Sequence, residues 1–227
     1  KLSYINQFRY VLARTWHVYT RCSALFYTRL WSTLLLSSFF AIFYLGLDID
    51  SPASVITFLA ATIISIGNTC YMMSTTALPV YCQLRPIFYR ETFSNYYSSI
   101  IWPISFTICE AIWVIPWSLT GFVPHYFGID ATARTAIGFF CYWLVVYILC
   151  FFFSQFSLML AMILPSNISE VFQNMYVSLC FSFGNIAANW PTINRGFQII
   201  MWLFPFYFVN GAITTQQFAN KGDVMIE

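Results

Sequence analysis

One acidic residue stands inside a long uncharged stretch and is the first candidate for chemistry. Glu110 is the only charged residue between Tyr97 and Phe122. A bare carboxylate in the middle of a bilayer costs about 2.5 kcal/mol or more, so such a residue is expected to be paired or to face protein. Two roles fit this position: an internal polar contact that holds helices together, or a step in a proton relay.

A second candidate is a charged and aromatic island between two apolar segments. It comprises Arg85, Pro86, Phe88, Tyr89, Arg90 and Glu91. Its long side chains are typical of an anchor that reaches from an apolar stem to the headgroups. The functional alternative is a short helix that docks on a cytosolic partner and transmits the motion of that partner.

Cysteine and histidine are poorly placed for metal binding or nucleophilic catalysis. The seven cysteines lie in apolar stretches or near the predicted cytosolic side, where a thiol usually acts as a small buried hydrophobe. His17 and His125 are far apart, and no ligand spacing typical of zinc surrounds them. We therefore predict no metal site, no catalytic residue and no cofactor in this chain, which is not an enzyme by itself.

The composition predicts that the partner of most of the surface is a lipid bilayer. Hydrophobic residues make up 59% of the chain and charged residues 8%, whereas soluble domains carry about 25% charged residues. A net charge of +2 is too small for the basic face that nucleic acids require.

Apolar blocks between the charges predict an all-α integral membrane bundle with about five transmembrane helices. Each block approaches the roughly 20 residues that a helix needs to cross the hydrocarbon. None alternates with the period of two that a membrane barrel requires. The predicted spans are residues 30–47, with a start as early as residue 24, then about 55–80, 97–122, 135–164 and 171–190.

The distribution of arginine and lysine predicts the orientation of these multi-pass helices. Most of the ten basic residues precede the first span or directly follow the second, so both regions are assigned to the cytosol. The same topology puts the sequon Asn167-Ile168-Ser169 in a cytosolic turn, where we expect it to stay unglycosylated.

The segments before the first span and after the fifth span lack the pattern of a transmembrane helix. Residues 1–22 predict an amphipathic helix that lies in the interface or packs on a further soluble domain. Its predicted apolar face holds Ile5, Phe8, Leu12, Trp16 and Tyr19, and its polar face holds Gln7, Arg14, His17 and Arg21. Residues 191–227 are interrupted by Pro205 and Gly211, which favours short or re-entrant helices on the outer side over a sixth crossing.

Several motifs, in order, resemble the ABC-2 type transmembrane domain of G-subfamily ABC transporters, the pleiotropic drug resistance type. The specific motif is Arg85-Pro86-Ile87-Phe88-Tyr89-Arg90-Glu91, followed by Tyr96-Tyr97-Ser98. Weaker matches cover nearly the whole chain: Gln7, Arg14 and Arg21 in the connecting helix, Glu110 to Pro116, Trp190 to Ile193, and Phe204 to Tyr207 with Gly211 and Gln217-Phe218. The chain is thereby identified as a piece that lacks the nucleotide-binding domain and the last helix.

The resemblance implies roles for the residues that match. It divides the chain into a connecting helix at 1–22, spans one to five at 23–190 with a cytosolic coupling loop at 82–95, and an outer segment at 191–227. The coupling loop would touch the nucleotide-binding domain, and Glu110 would pair with an arginine of the connecting helix or loop. The substrate cavity would be lined by Asn68, Tyr71, Met72, Phe181 and Phe183.

The resemblance further implies an ATP-driven exporter of amphipathic or lipid-like small molecules in the plasma membrane, working by alternating access. ATP and magnesium would bind in the domain outside this chain, and a second membrane half would complete a homodimer or pseudo-dimer. The turn Phe183-Gly184-Asn185-Ile186 departs from the family pattern and weakens the case for an apolar plug there. A secondary transporter or channel is the alternative, although such proteins usually show internal repeats and paired broken helices.

Overall fold

The computed structural model describes residues 3–45, 52–128, 136–183 and 202–218 and contains no β-strand in those ranges. The described residues form seven α-helices. They are α1 (Tyr4–Arg21), α2 (Ser23–Phe43), α3 (Pro52–Phe93), α4 (Ile101–Gly128), α5 (Ala136–Ile163), α6 (Ser166–Ser182) and α7 (Pro205–Phe218).

Four of the described helices are long and apolar enough to cross a bilayer. They are α2 from Leu25 onward, most of α3, and all of α4 and α5. A helix satisfies its own backbone hydrogen bonds, which is the condition for crossing lipid. The predicted all-α polytopic membrane fold is therefore confirmed, and α5 matches the predicted fourth span to within one residue at each end.

The core of the bundle lies between α2, α3, α4 and α5. Trp117, Tyr81 and Phe153 are fully buried there, while Ile148 on the outer face of α5 is 55% exposed. An apolar exposed face suits lipid tails, which are as apolar as the side chains that touch them. Helices α3 and α4 approach closely at Gly121, which has no side chain. A Cβ atom at Gly121 of α4 would lie only 2.5 Å from Thr69 Cγ2 of α3.

Helix α3 is much longer than a membrane span. Its 42 residues extend about 63 Å at 1.5 Å per residue, twice the roughly 30 Å of hydrocarbon. The predicted coupling loop at 82–95 is therefore largely the last turns of α3 and not a separate loop. The chain leaves the helix near Asn95, whose φ of 55° lies in the left-handed region that asparagine tolerates.

Helix α1 packs against the bundle on a face that only partly overlaps the predicted one, with Tyr19 buried and Phe8 and Leu12 half-buried as expected. Its buried residues are Val11, Thr15 and Tyr19, while Ile5 is 71% exposed and Trp16 is 39% exposed. Thr15 tolerates burial because its hydroxyl donates to the Val11 carbonyl oxygen at 2.9 Å. The buried face is therefore turned from the predicted stripe towards Val11 and Thr15, neither of which was placed on a face from the sequence.

The last two described helices are short. Helix α6 has 17 residues, about 26 Å, and begins at Ser166, ahead of the predicted start of the fifth span. Residues 184–190 of that span lie outside the described residues. Helix α7 has 14 residues, starts at Pro205 and continues through Gly211, so the expected interruption at this glycine is wrong.

Candidate functional site

A buried ion pair joins the first and third membrane-spanning helices. Arg29 Nη1 of α2 donates to Glu110 Oε1 of α4 at 2.7 Å, and both side chains have 0% exposure. The hydroxyl of Ser154, from α5, donates to the same carboxylate oxygen.

The second carboxylate oxygen of Glu110 is held by two tyrosines. The Tyr19 hydroxyl, from α1, donates to Oε2 at 2.5 Å, and the Tyr81 hydroxyl of α3 donates to it at 3.1 Å. The two hydroxyl oxygens are themselves 3.0 Å apart. Both oxygens of the carboxylate are thus occupied by donors.

The guanidinium group of Arg29 is also fully engaged. Its Nη2 donates to the Met73 carbonyl oxygen at 3.1 Å, and its Nε donates to Thr76 Oγ1 at 3.2 Å. The centre of the group lies 4.7 Å from the centroid of the Trp117 ring, a cation–π geometry. Burial of this charge is offset by a counter-ion, hydrogen bonds and an aromatic face.

The position of this pair corrects one expectation from the sequence. A partner for Glu110 was predicted in the connecting helix or the coupling loop, and the partner is Arg29 within α2. Arg29 had been counted with the basic residues that flank the first span, but α2 begins at Ser23 and carries it into the bundle. The connecting helix contributes Tyr19 instead, and a fully paired carboxylate favours the structural role over a proton relay.

A second series of buried, hydrogen-bonded polar side chains, which was not predicted from the sequence, extends from α3 to α6. Ser74 of α3 and Ser157 of α5 are joined at 2.7 Å between their hydroxyl oxygens. Ser157 also donates to Gln173 Oε1 of α6 at 3.1 Å. Gln173 is 1% exposed, and Ser169 and Gln173, which are four residues apart on one face of α6, are the signal in the sequence that could have identified this buried polar face.

At its C-terminal end, which the sequence predicts to be cytosolic, α3 is tied to α1. Arg14 Nη1 donates to Glu91 Oε1 at 2.5 Å, and the Tyr97 hydroxyl donates to Glu91 Oε2 at 2.8 Å. The backbone N–H of Ser98 donates to Gln7 Oε1 at 3.3 Å. A cleft of about 340 Å³ opens beside these contacts.

The ionisation of this cluster around Glu91 follows from its contacts. Burial alone would raise the pKa of Glu91, but hydrogen bonds from Arg14 and Tyr97 outweigh it and lower the pKa below the usual range. Burial and the bond to Glu91 raise the pKa of Tyr97 to about 12. Because the pKa of Glu91 is depressed, the contact is complete at neutral pH and is lost as the pH falls through that lowered value.

The other coupling residues divide between internal contacts and an open surface. Arg85 Nη1 donates to the Leu164 carbonyl oxygen at 2.5 Å, and the Tyr89 hydroxyl donates to that of Met162 at 3.1 Å, so both cap the end of α5. The Phe88 ring packs on Trp102, with centroids 4.9 Å apart. Among the predicted coupling residues, Pro86 and Arg90 are exposed, and the charge of Arg90 acts on the neighbouring Glu91 carboxylate.

Three of the five predicted cavity residues share one face of α3. Asn68, Tyr71 and Met72 are half-buried at the i, i+3, i+4 spacing that places side chains together on a helix. The Asn68 amide donates to the Ile64 carbonyl oxygen at 2.8 Å, which leaves its own carbonyl oxygen to the half-open face.

The two predicted cavity phenylalanines are engaged with α7 and the turn before it. The Phe181 ring lies 5.3 Å from the Phe206 ring between centroids, and a Cβ atom at Gly67 would be only 2.3 Å from its edge. The Phe183 ring stacks on Phe204 at 5.0 Å. The structure thus brings Phe181 next to α3 at Gly67, whereas Phe183 stacks on Phe204.

Comparison with known proteins decides the family. Residues 6–218 match the family described as ABC-2 type transporter. The chain belongs to the ABC-2 type transporter family. ABC transporter G family member 5 of Dictyostelium discoideum is 24% identical over 215 residues, 88% of this chain and 14% of that protein. ABC transporter G family member 42 of Oryza sativa subsp. japonica is 26% identical over 224 residues, 94% of this chain and 14% of that protein.

This ABC-2 domain spans about one seventh of the length of its curated relatives, since it covers 14% of each of the two. The resemblance that the sequence motifs indicated is confirmed at the level of the family. The cluster around Glu91 and the buried ion pair both lie within the residues that match the ABC-2 type transporter family.

Proposed function

We propose that this ABC-2 domain is the transmembrane part of an ATP-driven exporter of amphipathic or lipid-like small molecules. Cytosolic ATPase domains outside this chain would bind ATP and magnesium and drive the helices between inward-open and outward-open arrangements. A second membrane half would complete the central cavity, and the plasma membrane is the proposed location.

The observation that carries this proposal is that α1 connects the cytosolic end of α3 to the buried ion pair. One part of α1 holds Glu91 through Arg14, and its last turn holds Glu110 through Tyr19. A displacement of α1 by a cytosolic domain would therefore change hydrogen bonds inside the membrane as well as at its edge. Such a physical link is what coupling between an ATPase and a transport path requires.

The cytosolic end of α3 offers a surface on which such a domain could dock. Phe93 is 85% exposed, Ile87 is 37% exposed, and Arg90 is exposed between them in the sequence. Neighbouring exposed apolar groups with a basic residue are typical of a protein contact. We assign the ATPase contact to this ridge of Ile87, Arg90 and Phe93.

The half-open face of α3 supports the proposed type of substrate. Asn68, Tyr71 and Met72 combine an amide, a phenol and a flexible thioether on one stripe. Apolar lining with a few polar groups suits amphipathic ligands, and flexible methionines suit varied ones.

Export measured together with ATP hydrolysis in the full-length protein tests the proposal. Arg90→Ala removes an exposed charge from the ridge and leaves the buried hydrogen bonds of the bundle in place, so we expect normal insertion and an at least about 5-fold lower ratio of export to hydrolysis. Glu91→Gln should lower the ratio as well, because it weakens the link to α1.

Arg9→Ala is the matched control, since Arg9 is an exposed arginine on α1 that takes no part in the ridge. An unchanged ratio in Arg90→Ala and Glu91→Gln, with normal abundance, would contradict the proposed coupling. An equal loss in Arg9→Ala would show a general charge effect and would contradict it as well.

A further inference from the structure

Buried polar side chains also gather in the outer half of the bundle, away from the ion pair. Thr62 and Ser65 of α3 are each 1% exposed, and His125 of α4 is 3% exposed. Within the part of the chain that the structure describes, Thr62 Oγ1, Ser65 Oγ and His125 Nδ1 have no hydrogen-bond partner. Unpaired polar atoms are costly inside a membrane, where lipid offers no substitute.

The register between α3 and α4 places these atoms at one level. Phe88 meets Trp102, Tyr81 meets Glu110, and a Cβ atom at Gly121 would touch Thr69. These contacts show antiparallel helices in which each residue outward on α3 corresponds to one residue outward on α4. One turn beyond the Thr69 and Gly121 contact, Ser65 is therefore level with His125.

Helix α5 closes the third side of this group. The Tyr142 hydroxyl lies 3.1 Å from His125 Nε2 and is 2% exposed as a residue. It also faces the Thr62 side chain, although the geometry falls short of a hydrogen bond to Thr62 Oγ1. Three helices thus direct polar groups towards the same small region.

The chemistry of these groups selects the ligand. Three hydroxyl groups and an imidazole ring can donate or accept hydrogen bonds, but they bring no carboxylate that would balance a cation. A water molecule needs two to four polar partners to be retained in a protein interior. We propose that Thr62, Ser65, His125 and Tyr142 form a buried hydration site that holds ordered water between α3, α4 and α5.

A dry arrangement is the competing outcome. Threonine and serine in a helix can rotate their hydroxyl groups onto the carbonyl oxygen one turn earlier, as Thr69 does onto Ser65 at 3.0 Å. If Thr62 and Ser65 do the same, the region needs no water, and removal of either hydroxyl should change little.

Radiolytic labelling of the purified full-length protein separates the two outcomes. Hydroxyl radicals formed from bound water oxidise adjacent side chains, so Tyr142 and His125 should be oxidised faster than Tyr81, which is a fully buried tyrosine with direct protein partners. Mass spectrometry of peptides gives the rates. Equal rates at Tyr142 and Tyr81 would overturn the proposal.

Two single substitutions test whether the oxidation of Tyr142 depends on water held at this site. Ser65→Ala should slow the oxidation of Tyr142 and lower the thermal midpoint, as expected for one lost buried hydrogen-bonding group. Ser105→Ala is the control, because the buried Ser105 hydroxyl already donates to the Ile101 carbonyl oxygen at 2.8 Å and lies near the other end of α4. Unchanged oxidation and an unchanged midpoint in Ser65→Ala would show that Ser65 holds no water and would overturn the assignment.

Discussion

The Arg29 and Glu110 pair is the residue-scale feature on which the other contacts depend. Two charges at 0% exposure are tolerable only because each is matched by the other and by surrounding donors and acceptors. Removing one partner of such a pair typically costs about 3–5 kcal/mol, whereas replacing both with apolar residues can be nearly neutral. The pair therefore secures the arrangement of α2 and α4 more than it adds stability.

This asymmetry gives a prediction for the full-length protein in detergent. Glu110→Leu should lower the free energy of unfolding by about 3–5 kcal/mol, because the Arg29 charge is left buried and unpaired. The double variant Arg29→Met with Glu110→Leu should regain much of that loss in a thermal denaturation assay. Arg21→Met, at the exposed end of α1, is the control. A double variant whose loss of stability equals the sum of the losses from Arg29→Met alone and Glu110→Leu alone would contradict a direct pair.

Sequence reasoning anticipated only half of this pair. A carboxylate in an apolar block must have a partner, so Glu110 could be singled out from the sequence. Arg29 could not be identified as the partner from the sequence, because its position two turns into α2 depends on where that helix starts. The neighbouring basic residues suggested instead that Arg29 lies at the cytosolic edge. Contacts between residues 81 positions apart are set by packing, which apolar periodicity does not encode.

At the scale of helices, α3 and α4 are held together by close approach at a small residue. The nearest side chain to an added methyl group at Gly121 is that of Thr69, with Cγ2 at 2.5 Å and Oγ1 at 2.9 Å. A β-branched side chain has little freedom to move aside. The two helices would have to separate.

We therefore predict that Gly121→Ala lowers the free energy of unfolding by about 1–3 kcal/mol, the usual cost of overpacking. Thr69→Ala in the same protein should restore much of the loss by making room. Gly211→Ala is the matched control, since an added Cβ atom there meets no atom within 4 Å. A thermal midpoint as unaffected by Gly121→Ala as by Gly211→Ala would mean that α3 and α4 do not approach as described.

The elements themselves were largely predictable, and their ends were not. Charge-free blocks located four spans because hydrophobic length is a strong signal in a membrane protein. The continuous helix through Pro86 was not predicted, because proline and charges usually mark a loop, whereas capping of α5 by Arg85 and Tyr89 stabilises the helical path here. Docking of α1 on α4 was also missed, since an amphipathic face predicts burial without naming the partner.

At the scale of the whole molecule, α6 leaves a stripe of apolar side chains uncovered. Val171 is 65% exposed, Met175 is 52% exposed and Leu179 is 37% exposed, while Gln173 on the other side is buried. If a second membrane half completes the cavity, as proposed above, this stripe is a candidate for the contact between halves.

Cysteine cross-linking in membranes tests that arrangement. With Cys141→Ser to remove the exposed native thiol, Met175→Cys should give a product of twice the mass on treatment with a bifunctional thiol reagent, or an internal link in a pseudo-dimer. Ile148→Cys, on the exposed face of α5, should give much less. Equal cross-linking at both positions would indicate random collision and would contradict a specific contact along α6.

The orientation of the bundle is the claim on which coupling to an ATPase depends most directly. Phe93, at the end of α3 and 85% exposed, is suited to report it as Phe93→Cys in the Cys141→Ser background, labelled with a membrane-impermeant maleimide. The proposed orientation predicts labelling only after the cells are permeabilised, because this end of α3 would then face the cytosol. Labelling of Phe93→Cys on intact cells, above the background without the added cysteine, would contradict it.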